Sequence, residues 1–230
     1  MLKIKLEENM QNTANLYLHG KNVSRISKLT PSVINLTGLH QPERHRVEEF
    51  IKGIYAKAYG AQISVEYPVL MSVRNAENDI LAAVGIRYAA EENLFLEQYT
   101  ITPIDDVLGV SRNKVVEIGN LASAGGGASI FLFAALSSYL NNRGIEYATV
   151  TGTDYLHRTF QKLGLNPKKL CDADVSLLQG SLENWGTYYD TMPRVLAGSV
   201  PQSFKQLQKA LGAEFEDCRP ELFSRLHYKS

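Results

Sequence analysis

The 230-residue chain has only two cysteines, one tryptophan and no excess of either charge. Cys171 and Cys218 stand in unlike settings, without a CxxC pair or a metal-ligand spacing. That excludes a disulfide framework and points to free thiols in a reducing compartment, with no metal expected. Lys plus Arg and Asp plus Glu each number 24, so the chain exerts no global pull on nucleic acid or anionic membrane. No stretch approaches the roughly 18 apolar residues of a membrane span. The opening MLKIKLEENM is too acidic, and its apolar run too short, for a signal peptide. The expectation is a cytoplasmic protein with no membrane insertion and no nucleic-acid partner. Neither a P-loop nor GxGxxG occurs, which disfavours nucleotide hydrolysis and Rossmann-type binding. There is no internal repeat and no low-complexity linker.

What is present is an ordinary globular composition, 44% hydrophobic and 21% charged, enough for one sizeable core. The most ordered pattern runs from Val115 to Leu165. Val115 to Leu121 is apolar and β-branched with one acid, Glu117, and enters three glycines, Gly125, Gly126 and Gly127. Ala128 to Arg143 reads as a helix apolar on nearly every side, hence buried, and closed by Gly144. Tyr147 to Thr151 reads as a strand and Asp154 to Leu163 as a helix. Glycines at a helix start let a phosphate approach unpaired N–H groups without Cβ interference, so the ligand part expected there is an anion such as a pyrophosphate. The competing reading is a plain mobile loop.

Around this block the chain reads as follows. Residues 1–40 are an N-terminal arm or short strands, at Leu2 to Leu6 and Asn15 to Leu18. A helix runs from Pro42 to Gly60 with Val47, Phe50, Ile51, Ile54 and Ala58 on one side. Val69 to Val73 and Ile80 to Tyr88 flank the turn-rich RNAEND as a hairpin. Leu94 to Thr100 reads as a further strand carrying Glu97, Gln98 and Tyr99, and Pro103 to Leu108 as a short helix. Ala173 to Leu178 reads as a strand, Arg194 to Leu196 as an apolar run, and Ser203 to Leu211 as a terminal helix before a tail to residue 230. The fold class is α/β: a mixed, mostly antiparallel sheet, splayed where its halves part and flanked by helices.

The segments ERHRVEEFIKGIYAKAYGA, LFLEQY, VVEIGNLAS, TFQKLGL and WGTYY together resemble the thermostable hemolysin family, and the central block resembles the GNAT acyltransferases. The family is similar to the acyl-homoserine-lactone synthases. The resemblance covers roughly residues 41–200, the expected GNAT-like domain, with residues 201–230 as a C-terminal helix and tail. It implies an acyltransferase that takes its acyl group from acyl-CoA or a phosphopantetheinyl acyl carrier protein, for a small amine or hydroxyl acceptor. Acyl transfer needs a base, an oxyanion donor and a proton for the leaving thiolate. Glu117 is the candidate base, in a partly apolar setting shared by alternation with Val115, Gly119 and Leu121; the competing reading is an ion pair with Arg112 or Lys114. Asn120 replaces the arginine expected three residues after the acid, which argues against an adenosyl-methionine acceptor handled as in the synthases. Phe160 replaces the tyrosine that protonates the thiolate in many GNAT enzymes, leaving Tyr155 as a substitute. Leu121, Ala122, Ser123, Gly125, Gly126, Gly127 and Ala128 are expected to hold the donor. Arg44, Glu97, Tyr99, Trp185 and Tyr188 are expected around the acceptor. Lys114, Arg158, Lys162, Lys168 and Lys169 form a candidate basic rim for an acidic carrier. A lipid-binding or cell-lysing protein, and a catalytically inactive acyl-thioester sensor, are the alternatives.

Overall fold

The computed structural model describes residues 1–179 and 182–219. In chain order the elements are β1 (Leu2–Glu8), β2 (Gln11–Leu18), a single turn α1 (Gly20–Val23), β3 (Val33–Thr37), α2 (Arg44–Tyr59), β4 (Val69–Arg74) and β5 (Ile80–Tyr88). There follow α3 (Ile104–Leu108), β6 (Val115–Ser123), α4 (Ala128–Asn142), β7 (Tyr147–Gly152), α5 (Asp154–Lys162), β8 (Lys168–Asp172), β9 (Arg194–Ser199), α6 (Val200–Leu211) and β10 (Glu214–Asp217). The strands form one sheet in the order β10-β2-β1-β3-β4-β5-β6-β7-β9-β8. Among the described residues only β1–β3 and β6–β7 pair in parallel. The sheet is thus mixed and mostly antiparallel, as expected, and residues 1–40 supply three of its strands.

Helix α2 covers one face of β4 to β6, placing Val47, Ile51 and Tyr55 in a core with Leu70, Ala83 and Ala122. Gly60, in the left-handed region at φ 66°, ends it by returning its N–H to Ala56. On the other face lies α4, buried from Ala128 to Leu140 save one half-exposed residue, Ser129, as its all-round apolar sequence demands. It packs on β4 and β5 and is covered in turn by α6.

Two expected strands are something else. Leu94 to Thr100 holds a 3₁₀ turn, Phe95–Gln98, because its amides are claimed by carboxylates rather than by a neighbouring strand. Glu97 takes the N–H of Leu94 and of Ile104, and Glu117 takes those of Phe95 and Leu96. Ala173 to Leu178 likewise turns through a 3₁₀ segment, Val175–Leu177, because Asp174 accepts from the N–H and hydroxyl of Ser176. The strand of that region lies earlier, as β8. The expected tail from residue 220 onward lies outside the described residues.

Candidate active site

The site is built by an irregularity in β6. Gly119 pairs with Gly85 and Ala122 with Ala83, so Asn120 and Leu121 together oppose the single Val84. This is a β-bulge, and Asn120 carries its strain at φ 50°, a conformation that asparagine tolerates better than most residues. The extra residue resets the alternation of faces. Glu117, Gly119 and Ala122 point toward α2, whereas Ile118 and Leu121 point toward α4. Leu121 therefore does not share a face with Glu117, contrary to strict alternation.

The bulge coincides with the point where the sheet parts. Pairing between β6 and β7 runs from Val115 and Tyr147 to Ile118 and Val150, and stops there although both strands continue. Two cavities meet at Ile118, one on each side of the sheet. The first, about 300 Å³, lies between α4, α5, α6 and the β7–β9 face, with an apolar wall of Leu121, Phe133, Leu136, Leu140, Val150 and Leu156. The second, about 210 Å³, lies on the α2 side and mixes aromatic with polar lining: Tyr55, Tyr67, Phe95, Trp185, Tyr188 and Tyr189 beside Arg87, Asn120 and Thr151. Trp185 anchors the aromatic wall, its ring 5.5 Å from Tyr188, 5.7 Å from Tyr189 and 5.8 Å from Phe95 between centroids. Asn120 Oδ1 and Thr151 Oγ1 are buried without a hydrogen-bond partner among the described residues. Orphaned polar atoms in a cavity wall are where a ligand's polar groups would be received.

Glu117 sits under this second cavity, 1% exposed. Its Oε2 accepts from Phe95 N at 2.6 Å and its Oε1 from Leu96 N at 3.0 Å. Burial pushes the carboxyl up, the two amides and the nearby Arg87 guanidinium pull it back, and the balance is about 7. Arg87 is its cross-strand neighbour. It is occupied by Glu66 O at 3.1 Å, by Glu92 Oε1 at 3.3 Å and by the Tyr67 ring, 4.9 Å away. The expected ion pair of Glu117 with Arg112 or Lys114 is not formed. Arg112 grips Glu97 at 2.7 and 2.8 Å and Asp105 at 3.0 Å, and Lys114 reaches Gly144 O at 3.1 Å.

Of the residues expected around the acceptor, Trp185 and Tyr188 line the cavity. Tyr99 stands behind it, hydroxyl to hydroxyl with the lining Tyr189. Glu97 is structural: burial would raise its carboxyl, but Arg112 and two amides hold it down at about 2. Arg44 is structural too, buried and donating to the carbonyls of Pro68, Val65 and Tyr67 and to Glu48, so it fixes the segment that carries Tyr67. Tyr155 is 76% exposed and lines neither cavity. Phe160 lies in the wall of the apolar cavity, 5.1 Å from the Phe133 ring.

The glycine loop is exposed at residues 124–126, with Gly127 capping α4 at φ 83°. Gly125 N is bonded to Ser123 Oγ and Ala128 N to Gly125 O, which removes two of the expected phosphate donors. The amides of Gly126 and Gly127 have no partner among the described residues. Ser27, from the segment after α1, donates to Gly126 O at 2.6 Å and packs against Gly127.

The place of Tyr67 and Arg87 in this cavity wall was not legible in the sequence. Their signal was indirect: two glycines, Gly85 and Gly119, inside strands that otherwise read as continuous, a pattern that marks close approach of another group. That group is the Tyr67 ring, which lies over both.

A bulged strand feeding a loop and a buried helix, with the neighbouring parallel strand splayed away, defines a GNAT-like fold. A family model described as thermostable hemolysin matches residues 37–204, and the chain belongs to that family. Among solved structures it is similar to TofI in a ternary complex with an inhibitor and MTA, at 14% identity over 76% of this chain and 96% of that one, TM-score 0.53. It is also similar to BjaI, a CoA-dependent acyl-homoserine lactone synthase with SAM and isopentyl-CoA, at 11% identity over 78% and 89%, TM-score 0.53. No curated protein matches the chain. Among the described residues no helix is long and apolar enough to cross a membrane.

Proposed function

We propose that the protein is an acyltransferase that moves an acyl group from an acyl thioester, of coenzyme A or of an acyl carrier protein, to a small amine or hydroxyl acceptor. The observation that carries this reading is the meeting of two unlike cavities at Ile118, where β6 and β7 part. A thioester carbonyl at that point leaves the acyl tail to the apolar cavity and faces an acceptor in the aromatic, polar one. The tail is bound by burial of apolar surface, worth about 25 cal/mol per Å². The acceptor is oriented by Asn120, Thr151 and Arg87 against Trp185 and Tyr188. Glu117, poised near 7, is the base. At the bulge, where β7 no longer pairs with β6, the backbone of Asn120 and Leu121 is the candidate oxyanion donor. The free amides of Gly126 and Gly127 are suited to the donor's phosphates. BjaI, reported with isopentyl-CoA, is in keeping with a thioester donor.

A carrier protein as donor is favoured by the exposed Arg158, Lys162 and Lys168, while Lys169 is engaged with Asp172 at 2.6 Å. A thioester sensor without turnover is favoured by one observation, the lack of a leaving-group acid at Phe160 and Tyr155. Thiolate leaves without a dedicated acid, since thiol pKa values lie near 8.5. Mass spectrometry of the protein with acyl-CoA of graded length and pooled amines tests the reading. Acylated amine supports it; saturable donor binding with no product from any pool supports the sensor instead.

A further inference from the structure

Glu117 is the base in the reading above, yet it does not line the acceptor cavity: it is 1% exposed and lies behind the wall. A buried base needs a route for the proton. The amides of Phe95 and Leu96 are bonded to its carboxylate, Arg87 is its cross-strand neighbour, and the Tyr67 hydroxyl lies over Gly119 on the face to which Glu117 points. The two amides only donate and stay bonded. Arg87 has five donors and no acceptor, and does not deprotonate in proteins. Tyr67 differs from all of these, because a phenolic hydroxyl accepts and donates at once.

Its position is enforced. The Tyr67 ring lies flat across β5 and β6 at the cross-strand pair Gly85 and Gly119, so closely that a Cβ at either glycine would overlap the ring. At Gly119 the atom overlapped first is the hydroxyl oxygen. That oxygen is thereby held two residues along β6 from Glu117, on the face to which Glu117 points. Behind the ring, Arg44 clamps the backbone carbonyls of Val65, Tyr67 and Pro68. In front, Tyr67 lines the cavity together with Arg87, Asn120 and Gly119.

We propose that Tyr67 is a catalytic proton relay between the acceptor and Glu117, a role that rests on the acyltransferase reading. As the acceptor nitrogen bonds to the thioester carbonyl carbon, one N–H proton passes to the Tyr67 oxygen while the Tyr67 proton passes to the Glu117 carboxylate. The tetrahedral centre then expels the thiolate, the C–S bond breaking with its electron pair on sulfur. The thiolate takes a proton from water on release, and Glu117 returns its own through Tyr67 to water, so protons balance over the turnover. Tyrosinate never accumulates: the two transfers are concerted, which suits a phenol whose ionisation burial opposes. The slot made by the two glycines is a device for holding one hydroxyl between a buried carboxylate and a substrate.

The test joins a spectroscopic readout to kinetics, using Tyr67→Phe, which keeps the ring in its slot and removes only the oxygen. Infrared or carbon-13 titration of the Glu117 carboxyl, assigned by its loss in Glu117→Gln, is expected to move upward in Tyr67→Phe as a stabilising donor disappears. An unmoved titration overturns the relay whatever the rates show. In steady-state kinetics with a turned-over donor and acceptor, Tyr67→Phe and Glu117→Gln are each expected to lower kcat by about 10²-fold or more, with KM within a few fold. The double variant should be no slower than the slower single one, since both break the same path. A Tyr67→Phe protein near the parent rate, or a double variant whose losses multiply, overturns the relay while leaving the acyltransferase reading in place. A parent protein without turnover on any donor and acceptor sinks that reading and the relay with it.

Discussion

The Tyr67 ring occupies the space that a side chain at residue 119 would need. Gly119→Ala is therefore expected to expel the ring or move β6, costing about 1–3 kcal/mol of stability as overpacking does. Gly85→Ala, one strand away under the same ring, should behave alike. Chemical denaturation reads both. An alanine at either position with parent stability would mean that the ring is free to leave.

Arg44 tests the same slot from behind. Arg44→Met leaves the carbonyls of Val65, Tyr67 and Pro68 without their donor, and one such loss costs about 1–3 kcal/mol. Arg44→Lys restores a charge but not the fork, and should recover only part of it. If Arg44 instead binds the acceptor, its variants would keep stability and raise KM.

Stability should carry the signature of Glu117 as pH changes. Its folded pKa, about 7, lies above the ordinary value of 4.5, so the folded state binds the proton more tightly than the unfolded one. That contribution is complete below pH 4.5 and is lost as pH rises through about 7, a difference of roughly 3 kcal/mol at about 1.4 kcal/mol per unit. Tyr67 and Tyr99 also face it, and burial raises both phenols further above their ordinary range, so neither changes charge in that window. The difference in unfolding free energy between the parent and Glu117→Gln should therefore slope between pH 4.5 and 7 and flatten above it. A flat difference throughout would place the carboxyl in the ordinary range.

The glycine loop is read by hydrogen exchange. Saturating coenzyme A should protect the amides of Gly126 and Gly127 and leave Ala128, already bonded to Gly125 O, nearly unchanged. Equal exchange with and without ligand would remove the phosphates from this loop.

Much of this architecture was legible because it follows from periodicity. The buried helix α4 and the amphipathic α2 come straight from the spacing of apolar residues and the glycines that end them, and the hairpin β4–β5 from two apolar runs around a turn-rich hexapeptide. The two misread strands failed for one physical reason, that carboxylates of Glu97, Glu117 and Asp174 capture amides that propensity assigned to a sheet. Glu117 stood out as a lone acid in an apolar strand, and Trp185 and Tyr188 as dense aromatics. Arg44, Glu97 and Tyr155 were named for their charge and hydroxyl chemistry, which in a sequence does not say whether a side chain is clamped by carbonyls, paired, or turned to solvent. The bulge at Asn120 and the placement of Tyr67 depend on contacts between different elements of the chain, which no local pattern encodes.

Acyl-chain selection is read by filling the apolar cavity. Ala148, in its wall on β7, replaced by phenylalanine should shift donor preference toward shorter chains while leaving acceptor KM within a few fold. Unchanged chain preference would take the acyl tail out of this cavity.

The central claim is that Glu117 takes the acceptor's proton. The direct measurement is the pH–rate profile of thiol release from an acyl thioester, for the parent and for Glu117→Gln confirmed as folded. The parent should show an acid limb with an apparent pKa near 7, matching the carboxyl raised by burial. Glu117→Gln should run about 10²- to 10⁴-fold slower with that limb gone. A folded Glu117→Gln protein that releases thiol at near the parent rate, with the same acid limb, would contradict the account.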